Sequence, residues 1–186
     1  MDIAYIKKVL EGDVDAFRYF VNKYQDMAYS LANSICKSEF LAEEATQEAF
    51  VKAFQNLDKF KQKSSFTTWF YKILVNESLR KIKRKRLEVL PNEDSLPEDI
   101  NPEVKNSLDA LHQMEQKEII QNILQRMPES ESLLLRLYYL SEKQVEEIRE
   151  ITGLSLSNIK VSLHRARKRF YFLLERSYKN EMYSIL

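Results

Sequence analysis

With only two glycines and four prolines in 186 residues, this chain has few places to make the tight turns that strands need. Long segments with apolar residues at steps of three and four take their place. Phe17, Phe20, Val21, Tyr24, Ala28, Leu31 and Ile35 make one such stripe, enough for a helix of about six turns. The expected fold class is all-α, with two small helical domains joined by an acidic linker. The boundaries expected are 1–86 for the first domain, 87–107 for the linker and 108–186 for the second domain, which contains a helix-turn-helix.

The formal charge of +1 conceals a segregated pattern: Leu87 to Ser107 carries six acids against one lysine and three of the prolines, between basic flanks. That stretch reads as a flexible spacer, or as an acidic strand mimic seated in a basic channel; little packing is expected across it. The single cysteine, Cys36, excludes an intramolecular disulfide, and His112 and His164 lie on different helices without the spacing of a metal or nucleophile site. No glycine-rich phosphate loop can be built. The expectation is a non-enzyme with no cofactor, no metal and no small-molecule substrate. The N-terminal MDIAYIKKVLEGD is broken by charge and no apolar run reaches membrane-spanning length, so a cytoplasmic protein without membrane insertion is expected.

Function is most legible between Ala42 and Arg86. On the first of two helices there, Ala42, Ala49, Phe50, Ala53 and Leu57 share a core arc, and Glu44, Gln47, Glu48, Val51 and Phe54 share the opposite one. Two large apolar side chains among acids and an amide suit a docking surface with a polar rim; alternatively Phe54 completes the core. The next helix, capped at Ser64 or Ser65, buries Phe66, Phe70, Ile73 and Leu74 and carries Thr68, Lys72, Asn76 and Lys83 on another side, with Trp69 at the margin. The loop before it sets Lys59, Lys61 and Lys63 around Phe60, and six basic residues fall within Arg80 to Arg86. Cations beside rings and amides are the composition of a single-strand grip: phosphates meet the charges and unstacked bases meet the rings.

In the second domain, apolar periodicity through Leu108, Leu111, Ile119, Ile120, Ile123 and Leu124, then Leu133, Leu134, Leu137 and Tyr138, describes a small core. Ser141 with Gln144 reads as a capping box for a helix that stops at Gly153, and Ser155 as the cap of a final basic helix with Ile159, Leu163, Ala166, Phe170 and Leu174 inward. A short helix, a glycine turn and a longer basic helix match a helix-turn-helix. Lys160, Val161, Ser162, His164, Arg165, Lys168 and Arg169 face outward, where cations position on phosphates or pair with guanine and Val161 meets a thymine methyl.

The segments GDVDAF at Gly12 to Phe17, AEEATQEAFVKAFQNLDKF with SSFTTWFYKILVN at Ala42 to Asn76, and VEEIREITGLSLSNIKVSLHRARKRF at Val145 to Phe170 resemble the sigma-70 superfamily of bacterial transcription initiation factors, specifically the two-domain extracytoplasmic-function (ECF) type. The resemblance implies that the first domain binds the clamp coiled coil of the largest subunit of core RNA polymerase through Glu44, Gln47, Glu48 and Phe54. It implies that the Phe60–Ser65 loop and Asn76 open the minus-ten element and capture a flipped base, and that Lys160, Val161, Ser162, His164 and Arg165 read the minus-thirty-five element. The polymerase flap, promoter DNA and an anti-sigma factor are the other partners it implies. The sequence departs from the family pattern at Arg149, at Ser162 and in LYYLSEKQ, which lacks a glycine common before the helix-turn-helix. In a different class, an autonomous helix-turn-helix regulator is the alternative, and an RNA-binding protein a weaker third.

Overall fold

The computed structural model describes residues 1–88 and 118–184; nearly all of the expected linker, with Leu108, Leu111 and His112, lies outside them. Among the described residues the regular structure is entirely helical. Helix α1 (Asp2–Leu10) leads through Gly12, at φ 106, into a short 3-10 turn whose Ala16 N–H is capped by Asp13. Helices α2 (Arg18–Cys36), α3 (Glu39–Gln55) and α4 (Phe66–Glu88) then pack against one another. Their shared core is the expected one: Phe20, Ala28, Leu31 and Ile35 meet Ala42, Ala49 and Ala53, and Phe66, Phe70 and Leu74 close it. Small residues on α3 let its backbone approach its neighbours, and aromatic rings fill the remaining space, with Phe50 and Phe70 4.6 Å apart. Cys36 sits in this core, where burial pushes its thiol up to about 11. Asp2 anchors α1 by accepting hydrogen bonds from Tyr19, Lys23 and Tyr24 on α2. Helix α4 runs through Glu88, two residues into the stretch expected to be linker.

Helix α5 (118–126) opens the second group. Helix α6 (Glu129–Leu135) follows, and Pro128 stands just before it as the cap residue rather than inside its first turn. A single π-helical turn, Arg136–Leu140, ends it where unbroken α-helix was expected. The capping box of α7 (Val145–Thr152) is Gln144 with Glu147, one turn later than Ser141 with Gln144. Within LYYLSEKQ, which has no glycine, Glu142 takes a left-handed backbone at φ 51. Gly153, at φ 74, ends α7, and Ser155 accepts from the Asn158 N–H to cap α8 (Leu156–Ser184). Ile159, Leu163 and Ala166 are buried as expected, together with Ile148 and Ile151 of α7; Phe170 and Leu174 are only half-buried, and Ile120 is partly exposed.

The expectation of little packing between the two groups is not met. Helix α4 packs on α7 and α2 packs on α6, so the buried apolar residues form one continuous cluster. Lys37, at the end of α2, donates from Nζ to the backbone carbonyls of Leu124 and Gln125, capping α5 from outside. Burial and the nearby Arg136 cation pull that ammonium down to about 8. Arg136 itself is buried and donates from Nη1 to Ser30 Oγ at 2.8 Å. The seam is imperfectly matched. Asn33 Oδ1 on α2, and Ser132 Oγ and Arg136 Nε opposite, are buried without partners, each a cost of roughly 1–3 kcal/mol.

Candidate functional site

Three exposed surfaces carry the residues singled out from the sequence. On α3, Val51 is 52% exposed and Phe54 37%, the latter resting its edge on Phe17 at 5.2 Å between centroids. Gln47 is exposed, while Glu44 and Glu48 are half-buried by their partners. Arg80 of α4 bonds Glu48 at 2.7 Å, and Lys81 lies 3.2 Å from Glu44 and 3.5 Å from Glu48. Burial raises the Glu48 carboxyl and the two cations outweigh it, so the net shift is downward. Behind this pair, buried Glu77 holds both Lys52 and Arg80 at 2.5 Å. Periodicity had no means of finding Glu77, because a carboxylate on a mostly basic helix reads as solvated until its partners on another helix are known. The arc is thus an apolar pair held between ion-paired acids, with α4 fixing their rotamers.

The side of α4 expected to meet a DNA strand is only partly exposed as expected. Lys61, Lys63, Lys72, Asn76 and Lys83 are exposed, and Ser65 caps the helix by accepting from the Thr68 N–H. Phe60, expected on an open loop, is 9% exposed and packs against Phe66 and Trp69, with centroids 6.0 Å and 5.2 Å away. It closes the core, because a short 3-10 turn, Leu57–Lys59, folds it back over the helix. Trp69 is half-buried beside the same rings, leaving one side in solvent. Thr68 is fully buried: its hydroxyl donates to Glu147 of α7 and accepts from Lys143. Ser64 donates to Glu150 at 3.0 Å. A cleft of about 480 Å³ continues from these contacts, lined by Lys72 and Asn76 on one side and Glu146, Arg149 and Glu150 on the other.

On α8, Lys160, Val161, His164, Arg165 and Lys168 are exposed on one side of the helix and Ser162 is half-exposed, its hydroxyl donating to Asn158 Oδ1. Arg169 is exposed but paired, 2.7 Å from Glu131, which sets it apart from the rest of the stripe. Such a row, following a glycine turn and held by a buried Ile159, Leu163 and Ala166 face, has the geometry of a helix that enters a major groove.

The family model for sigma-70 region 2 matches residues 20–88, and that for sigma-70 region 4 matches residues 117–170. The ECF RNA polymerase sigma factor SigW of Bacillus subtilis is 30% identical over 175 residues, spanning 88% of this chain and 91% of that protein. The chain belongs to the ECF sigma factors of the sigma-70 family. Its fold is also that of two solved structures. One is the sigma factor RpoE of Bartonella quintana, in complex with the anti-sigma factor NepR, with a TM-score of 0.66, 23% identity and coverage of 86% of this chain and 96% of that one. The other is CnrH, in complex with the cytosolic domain of CnrY, with a TM-score of 0.63, 19% identity and coverage of 93% and 96%. In this sigma factor, region 2 holds the α3 arc and the α4 surface, and region 4 holds the helix-turn-helix of α7 and α8. No helix among the described residues is long and apolar enough to cross a membrane.

Proposed function

We propose that this sigma factor docks on core RNA polymerase through Glu44, Gln47, Glu48, Val51 and Phe54, and so brings two DNA-reading surfaces to a promoter. The observation that carries the reading is the α3 arc, where Val51 and Phe54 stand in water between acids already oriented by Arg80 and Lys81. A self-sufficient helix-turn-helix regulator has no use for such an arc in its other domain. The clamp coiled coil of the largest subunit is the expected seat. In region 4, an apolar groove of about 280 Å³ between Leu135, Tyr139, Leu140, Phe170 and Tyr171 is the surface offered to the flap.

Lys61, Lys63, Ser64, Ser65, Lys72, Asn76 and Lys83, with the exposed side of Trp69, make up the minus-ten strand surface, and Phe60 and Thr68 support it from within. Lys160, Val161, Ser162, His164, Arg165 and Lys168 read the minus-thirty-five duplex, with Arg169 on the phosphates when it leaves Glu131. The domains then run from residue 1 to the end of α4 and from residue 108 to 186, and the acidic stretch between them is a tether. The work is binding, done in the cytoplasm, and no side chain is assigned a reaction. Capture by an anti-sigma protein is a natural means of control, as the fold neighbour RpoE was solved in such a complex. Titration of labelled protein into core polymerase and, separately, into duplex DNA tests the reading. Tight association with core and weak association with DNA alone are expected; the reverse order would favour the autonomous regulator.

A further inference from the structure

We infer that Lys143 and the acidic edge of α7 form an intramolecular latch that covers the Ser64–Thr68 end of the strand-facing surface, at the start of α4, and leaves the duplex-facing stripe of α8 open. The inference rests on the strand-capture reading proposed above.

The chemistry of the contact is that of a substitute ligand. Ser64 and Ser65 present hydroxyls of the kind that bind phosphate oxygens, and the buried Thr68 beneath them joins the same contact. Here Ser64 donates to Glu150 at 3.0 Å, Ser65 to Glu147 at 3.5 Å, and Thr68 to Glu147 as well. Carboxylate oxygens thus satisfy donors that a nucleic-acid strand would otherwise engage. Glu150 and Glu146 extend the acidic edge along the cleft that faces Lys72 and Asn76.

The latch is closed by a cation. Lys143 is 8% exposed, and its Nζ lies 2.7 Å from Thr67 Oγ1 and 3.1 Å from each of Ser65 Oγ, Thr68 Oγ1 and Glu147 Oε1. A buried ammonium is tolerated only when its hydrogen bonds are made, and here most of them are made by α4. Moving α7 away exposes Lys143 to water and frees the α4 hydroxyls together, so the contact has two discrete arrangements. Lys160, His164, Arg165 and Lys168 are exposed in the closed arrangement. Free protein can therefore meet duplex DNA while the Ser64–Ser65 end of its strand surface is occupied, and full strand capture waits for α7 to leave.

Binding to a site that is open only part of the time is weakened by the open fraction. Lys143→Ala combined with Glu150→Ala removes one cation and one anion, so nonspecific attraction to DNA is unchanged while the latch is lost. The probes are a fluorescent single-stranded DNA of randomised sequence, about 16 nucleotides long, and a duplex of the same length. Against the full chain, the variant should bind the single strand roughly tenfold more tightly, as removal of a ten-to-one closed state requires, with duplex affinity unchanged. A second pair, Ser64→Cys with Glu150→Cys in a Cys36→Ser background, is joined by a short bis-maleimide and compared with its unjoined form. The joined form should lose single-strand binding and keep duplex binding. Equal single-strand binding by joined and unjoined forms overturns the latch and leaves the strand-capture reading standing. Absence of single-strand binding from every form, opened variant included, overturns that reading and the latch with it.

Discussion

The Thr68 hydroxyl on α4 donates a hydrogen bond to the Glu147 carboxylate on α7, across 79 positions of sequence. Glu147 also accepts from the Gln144 N–H and from Lys143, so one carboxylate caps its own helix and ties it to region 2. Burial raises this carboxyl, and the hydrogen bonds from Thr68, Gln144 and Lys143 outweigh it and bring it below its ordinary value. Thr68 is accordingly part of the packing, and the strand contact proposed for α4 falls to its exposed neighbours.

Phe60→Ala and Asn76→Ala should behave differently. Phe60 is buried against Phe66 and Trp69, so its truncation should cost about 3–5 kcal/mol of stability, read by chemical denaturation. Asn76 is exposed. Its truncation should leave stability unchanged and weaken capture of the minus-ten strand by about 1 kcal/mol, roughly fivefold, in permanganate mapping of the opened promoter.

Glu48→Arg combined with Phe54→Ala places like charge beside Arg80 and Lys81 and removes the exposed ring. Core polymerase affinity should fall by at least about 30-fold, the scale of one hot-spot residue, with helicity by circular dichroism retained. Unchanged affinity would remove the α3 arc from the docking surface.

The helices and their core faces were legible because periodicity reports burial directly: Ala42, Ala49, Ala53, Phe66, Phe70 and Leu74 all lie where their spacing puts them. What spacing does not carry is the partner across space. Phe60 read as a free ring because the 3-10 turn that folds it inward is only three residues long. Nor does spacing mark Glu77, Arg136 or Lys143, each of which is buried by a contact with a different helix. The same blindness hid the packing of α4 on α7. Ser141 resembled a cap because both it and Gln144 precede an apolar run; the box forms at Gln144, whose N3 residue is the acid Glu147.

Arg165→Ala should relax selectivity at one minus-thirty-five base pair by roughly 1–3 kcal/mol if the guanidinium pairs with guanine. If it sits on phosphate, all sequences should weaken alike and the salt slope should fall by about one. Competition among single-base variants at several salt concentrations separates the two, and no change in either quantity would take Arg165 off the DNA face.

Acidification should release α1. Burial raises the Asp2 carboxyl, but hydrogen bonds from Lys23, Tyr24 and Tyr19 outweigh it and hold it below its ordinary value. A depressed carboxyl stabilises the fold above its unfolded value, near pH 4, and that contribution disappears as pH falls through the folded value. The difference in thermal midpoint between the wild type and Asp2→Asn should therefore be full at pH 6 and shrink below about pH 4. A difference independent of pH would mean that the Asp2 charge does not anchor the helix.

Mapping transcript 5′ ends made by core polymerase on genomic fragments, with and without the purified protein, tests the account most directly. The protein should create a limited set of new start sites that share sequence at minus-ten and at minus-thirty-five. A start-site profile identical to that of core polymerase alone would contradict it.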